Sequence, residues 1–465
     1  MTSEALKAKA LTTIEKALDC AKKAGADEAA ASMGGGRNGL TRFARNAVIQ
    51  NVEKDTNVLT LAVAVGNREA GLTTDVLDDD SICQLAKNAV ELAKMYPENP
   101  EHTGPVEPKP IAEVCGFDED TSEYPQDEKI NRIQSICEKT AKENLHAFGT
   151  LTTGWKYKAI GNSLGHMAWH PESIADFSLT IRTEDGEGSC RENRGYHCID
   201  KIEFEELRER CTDWAKWSTE AEYLDPGEYK VILTPTAALN YMIWAFFTLG
   251  ARKVHEKRSS LVTHFGVDNP LGAKLFSEKI SAYSRVSLAD CPCSPFNPAI
   301  EMDGWGGQGI VSSLFGNGLP VEEYPIIENG VVKHLFSSLY WARKTNQQPR
   351  AFPSLIEIPG TEKSLKQIVE ETDKAILVNS FWYIRFVDTN HLLLTGLTRD
   401  GVFWVENGKI VKPLKNLRFN ESPLISMTNV LDVGRPQLRK TWMDKALVPP
   451  MVVDNFSFTN ETDAI

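Results

Sequence analysis

The chain lacks several features that would classify it at once. No apolar run reaches the roughly 20 residues of a membrane-spanning helix. The longest, 237–249, stops after 13 residues and is interrupted by Asn240 and Thr248. Basic charge is scarce. Lys and Arg total 51 against 64 Asp and Glu, a net −13, which argues against a dedicated nucleic-acid surface. No CxxC pair occurs, and no cysteine follows Cys293. Cys291-Pro-Cys293 and Cys190…His197-Cys198 come nearest to a ligand pattern, and neither has zinc spacing. The nine cysteines, an odd number, predict thiols of a reducing compartment rather than a disulfide framework. The first 25 residues form an amphipathic pattern without an apolar signal core, so a cytoplasmic protein is expected. Gly34-Gly35-Gly36 is followed by neither GK[ST] nor GxGxxG. It reads as a flexible hairpin tip, not a phosphate cradle.

What is present describes an ordinary folded protein. At 465 residues the chain predicts at least two domains. Leu6, Ala10, Ile14, Leu18 and Ala21 recur at helical spacing before Gly25. Residues 40–52 and 56–75 read as strands, with turns at Glu53–Asp55 and Gly66-Asn67. Helices are predicted over 78–93, 127–144 and 204–221. Residues 96–126 hold six prolines and read as a surface connection. Past Asp225-Pro226-Gly227 the chain turns strand-rich. Asn329-Gly330 and Asn407-Gly408 each join two apolar runs, a hairpin signature.

The expected fold is therefore α+β. A helix and antiparallel-sheet domain spans 1–224, including the connection. A mostly antiparallel, barrel-like domain with a buried core helix spans 225–440. The stretch 441–465 is expected to be a surface extension.

That core helix is the centre of the second half. Thr234-Pro235 caps its start after the strand EYKVIL. From Ala237 to Leu249 it is apolar on nearly every side, which predicts burial. His166 and His170 lie in a strand-like context, about 13 Å apart at this spacing, so one metal cannot take both. His255 lies near a helix C-terminus and reads as a cation or hydrogen-bonding group.

The order of motifs resembles the TldD/PmbA family. The resemblance rests on TRFARNAVIQNV at 41–52, GEYKVILTP at 227–235 and GLPVEEYPIIENGVVKHLFSSLYWARK at 318–344. GLTRDGVFWVENGKIVKPLKNLRF at 396–419 and SMTNVLDVG at 426–434 extend it. It covers residues 5 to 436. The resemblance implies a zinc peptidase fold, with HExxxH on the helix after the GEYKVILTP strand and a later cysteine as a further ligand. Two imidazoles on one helical face would hold the metal and the glutamate would act as base.

This chain departs from that pattern. The implied ligand positions fall near Ile243, Trp244 and Thr248, none of which ligates zinc. No His, Asp, Glu or Cys occurs between Thr236 and Val254. His255-Glu256 is followed by serine at both 259 and 260, so neither HExxH nor HExxxH is completed. The resemblance is thus to the PmbA or TldE-like branch. It implies no cofactor in this chain, zinc in a TldD-like partner subunit, and an extended peptide as substrate. No nucleic acid and no membrane are expected. Candidate peptide-groove residues are Phe381, Trp382, Tyr383, Arg385, Arg399 and Asp400, with Gly306 and Gly307 in a glycine-rich loop. Two alternatives stand beside this. One is an active metallopeptidase with a divergent site using Cys291, Cys293 or His264. The other is a stand-alone peptide-binding or regulatory homodimer.

Overall fold

The computed structural model describes residues 3–288, 291–298, 300–302, 310–312, 315–440 and 445–462. Helix α1 (Ser3–Ala24) and six long strands open the chain. The strands are β1 (Glu28–Ala44), β2 (Ala47–Val65), β3 (Arg68–Thr74), β4 (Leu145–Asn162), β5 (Met167–Thr183) and β6 (Ser189–Tyr196). They form one sheet in the order β3-β2-β1-β4-β5-β6, every pairing antiparallel. Side chains alternate across a strand, so residues of one parity share a face. Ala29, Ala31, Met33 and Phe43 of β1 and Leu145, Ala147, Leu151, Trp155 and Tyr157 of β4 are all odd-numbered and buried.

Four helices cover that apolar face. Helix α1 and α2 (Asp79–Met95) pack on one end. Helices α4 (Gln126–Lys142) and α5 (Phe204–Trp217) pack on the other, with the short α3 (Glu119–Ser122) ahead of them. Asp78 caps α2, its carboxylate accepting from the backbone and hydroxyl of Ser81. On the opposite face, even-numbered polar positions of β4 and β5 and odd-numbered positions of β6 turn toward the second domain.

The second domain is built on a closed five-strand barrel. Its strands run, in order, Lys374–Asp388, β7 (Gly227–Leu233), Met451–Glu461, Leu417–Glu421 and Leu393–Glu406. The last pairs back with the first and closes the ring. Helix α6 (Pro235–Phe246) follows β7 directly. Thr234 caps it by accepting from Ala237 N–H and itself donates to Asn379 O, 2.7 Å away. Tyr241 of α6 is fully buried and sits 5.5–5.6 Å from the rings of Phe381, Phe419 and Phe456. The predicted buried core helix is therefore present. The two Asn-Gly turns join hairpins as expected, with positive φ at Asn329, Gly330, Asn407 and Gly408.

Four expectations are corrected. Gly34-Gly35-Gly36 is no hairpin tip but lies inside β1. A Cβ on Gly35 would stand 2.5 Å from Thr56 O and Asn57 Oδ1, so the glycines let neighbouring strands approach. The turn expected at Glu53–Asp55 is instead at Arg45-Asn46, both at positive φ, and β2 runs straight through 53–55. The stretch after Trp442 is not a surface extension, because Met451–Glu461 lies inside the barrel between β7 and Leu417–Glu421. Finally, Cys20 and Cys83 form a disulfide between α1 and α2, while the other seven cysteines form none. Packing of two helices brings together residues 63 apart in sequence, which spacing alone cannot reveal.

Candidate functional site

The two domains meet at a cavity of about 440 Å³. The N-terminal sheet forms one wall. Its ladder register places Thr150, Ser178 and Asn193 in one row across β4, β5 and β6, and Thr152, Asp176 and Gly195 in the next. The second domain supplies Thr236 and Asn240 from α6, Ser380, Phe381 and Trp382 from one barrel strand, Asp400 from its neighbour, and Lys440.

Charge is concentrated on the sheet side. Glu192 is almost completely buried, and Arg194 donates to it at 2.8 Å. Arg210 lies 3.2 Å from its other oxygen. Burial alone would raise the Glu192 carboxyl; the guanidiniums of Arg210, Arg194 and Arg439 overcome this and hold it at about 2. Arg439 is pulled down to about 9, first by burial and then by repulsion from Arg194. Its Nε donates to Thr236 Oγ1 at 3.1 Å, tying the cluster to the first turn of α6. One carboxylate thus faces three guanidiniums. Nearby, Lys440 bonds Asp176. Gly195 leaves room for this pair, since a Cβ there would meet Asp176 Oδ1 at 2.8 Å and Lys440 Cδ at 3.0 Å.

Phe381, Trp382 and Asp400 line the cavity together. The Arg399 guanidinium lies 5.1 Å from the Trp382 ring centre. Tyr383 and Arg385 do not line the cavity. Tyr383 is 62% exposed, and the Arg385 guanidinium covers its ring at 4.2 Å. Gly306 and Gly307 lie outside the described residues. Ile243, Trp244 and Thr248 are buried away from the cavity lining. Trp244 packs edge-on against Phe386 at 5.3 Å and donates to Asn240 O, and the Thr248 hydroxyl donates to Ala245 O.

Five other histidines and cysteines weighed in the sequence, His166, His255, His264, Cys291 and Cys293, lie against local neighbours. His166 Nε2 bonds Gly318 O at 2.8 Å, and His255 Nδ1 bonds Trp341 Nε1 at 2.9 Å. Cys291 and Cys293 lie 3.6 Å apart, sulfur to sulfur, in a small buried cluster with Leu355. His264 contacts His391 ring to ring at 5.9 Å.

Sequence reasoning missed the sheet-side half of the site, Asp176, Arg191, Glu192 and Arg194, and with it Lys440 of the second domain. A signal was present in Arg191-Glu192-Asn193-Arg194, four consecutive polar residues in the middle of a strand.

A two-domain scaffold with a closed barrel, a core helix and a charged interdomain cavity defines the class. A family model for the PmbA/TldA metallopeptidase C-terminal domain matches residues 226–460, and one for the central domain matches 119–219. The chain belongs to the PmbA/TldD family. Among solved structures it is similar to TldE from Thermococcus kodakarensis, at 14% identity and a TM-score of 0.82, covering 96% of this chain and all of that one. It is also similar to a Thermotoga maritima protein described as a candidate modulator of a DNA gyrase, at 17% identity and a TM-score of 0.79. That match covers 96% of this chain and 99% of the other. At such identities these likenesses establish the fold. No curated protein matches the chain.

The metal that a metallopeptidase family implies does not fit the residues on α6. Ile243 and Trp244 carry no donor suited to zinc, and the hydroxyl of Thr248, just past the helix end, donates back to Ala245 O. Among the described residues, no three His, Cys, Asp or Glu side chains form a metal-holding group.

Proposed function

We propose that this chain is the TldE-like, zinc-free subunit of a two-chain metallopeptidase acting in proteolysis or peptide maturation. It holds an extended peptide, and a TldD-like partner supplies the zinc. The observation that carries this is the composition of α6. The helix that follows β7 gives its middle to the apolar core and only Thr236 and Asn240 to the cavity. The interdomain cavity supports a peptide-holding role, because polar row positions and an aromatic wall suit an extended backbone. We place the pair in the cytoplasm, a reading supported by seven of the nine cysteines forming no disulfide, against the one pair Cys20–Cys83.

Reconstitution tests this. The chain alone is expected to leave an unfolded polypeptide intact. Added to a family member bearing HExxxH, it is expected to form a stable complex that cleaves. Cleavage by the chain alone, or a homodimer indifferent to such a partner, would contradict the proposal.

A further inference from the structure

The best-defined unexplained group is the Asp400 carboxylate. In the barrel, Val378 pairs with Val402 and Ser380 with Arg399. Asn379 therefore faces two residues, Asp400 and Gly401, which is a β-bulge. Bulges re-aim side chains and recur beside binding sites. Here φ is +57° at Asp400 and +116° at Gly401. The fully buried Asn379 pins the bulge, its amide donating to Asp400 O at 2.8 Å and Arg191 O at 3.1 Å.

The re-aimed carboxylate is only 4% exposed. Its Oδ1 is buried and accepts no hydrogen bond from any described residue. Its Oδ2 lies 3.9 Å from Arg399 Nε, beyond hydrogen-bond reach. Asp400 borders both the 440 Å³ cavity and a second one of about 220 Å³. A buried carboxylate oxygen without a donor is costly. It persists where a ligand completes it.

Two further observations select the ligand. The other carboxylates of the larger cavity are already engaged, Glu192 by Arg194 and Asp176 by Lys440. That engages two of the three cations on the lining, Arg191 being the third, and Arg399 faces Oδ2 of Asp400 only at 3.9 Å, so Asp400 Oδ1 is the acceptor left for an occupant to complete. Beside it stand Phe381 and Trp382, the latter 47% exposed. An aromatic wall next to a carboxylate suits an ammonium group on an aliphatic stem.

We propose that Asp400 anchors a protonated primary amine of the bound peptide. This rests on the peptide-holding reading above and adds the chemistry of one subsite. Charged donors make the strongest hydrogen bonds to carboxylates, so the preference is for the amine over neutral N–H groups.

The test uses the full chain and labelled decapeptides of Ala, Ser and Val. One is N-acetylated with a central lysine, one carries acetyl-lysine there, one carries glutamate, and one has a free N-terminus without lysine. The central-lysine peptide is expected to bind about tenfold or more tighter than its acetyl-lysine form, and D400N is expected to abolish the difference. The same Asp400-dependent gain for the free N-terminus would support the anchor with the terminus as its source. Asn tolerates positive φ, so D400N is expected to melt no lower than the wild type. A lower melting temperature would mean that the carboxylate is already satisfied within the chain, and would overturn the proposal. So would equal binding of all peptides, or preference for glutamate. If peptides bind without amine preference, the anchor alone falls. If none binds, the peptide-holding reading falls with it.

Discussion

Replacing Glu192 by Gln removes the single carboxylate among Arg194, Arg210 and Arg439. The side chain keeps its shape, so packing is preserved and charge is the variable. Moving a carboxyl from 4.5 to about 2 corresponds to about 3 kcal/mol at about 1.4 kcal/mol per pKa unit. A second route agrees, since removing one partner of a buried ion pair costs about 3–5 kcal/mol. Glu192 is almost fully buried, so solvent screening does not reduce this much. The assay is calorimetric melting across pH. The folded carboxyl titrates below its ordinary value, so its contribution is complete above pH 4.5 and is lost as pH falls toward 2. E192Q should melt several degrees lower at pH 7, and the gap should close toward pH 2. Because cations outnumber the carboxylate, R439M in the E192Q background should recover part of the loss. An E192Q chain that melts like wild type at pH 7, or a gap that does not depend on pH, would refute the argument.

Two other outcomes are expected. Glu421 is pushed up to about 7 by burial, against the lowering effect of the Ser422 and Ser457 backbone N–H groups. Its folded value exceeds its unfolded one, so stability should fall as pH rises from 4.5 through 7, and E421Q should flatten that slope in urea titrations at pH 5 and 8. Gly35→Ala forces a Cβ against Thr56 O and Asn57 Oδ1. It should cost about 1–3 kcal/mol, read as a lower urea midpoint, whereas a true hairpin tip would tolerate alanine.

Much of the architecture was legible because its signals are local. Asp78 and Thr234-Pro235 each announce a helix start through a side chain that accepts from the backbone three residues on. Asn329-Gly330 and Asn407-Gly408 announce hairpins because both residues take positive φ. What escaped depends on distant partners. The glycines of β1 answer to Thr56 and to the backbone of Trp155, so as a sequence they look like a loop. Met451–Glu461 reads as a tail until it pairs with Gly227–Leu233, more than 200 residues earlier. The candidate site divides the same way. Phe381, Trp382 and Asp400 stood out as aromatics and a charge on two consecutive strands. Asp176, Glu192 and Arg194 belong to another domain, and only the fold brings them opposite.

The central claim is that α6 holds core where a zinc site is implied. It is tested most directly by metal content. The chain, saturated with zinc and then desalted, should retain far less than one equivalent by mass spectrometry, while a complex with an HExxxH-bearing partner should retain one. One equivalent held by this chain alone, and lost on mutating its own His or Cys residues, would contradict the account.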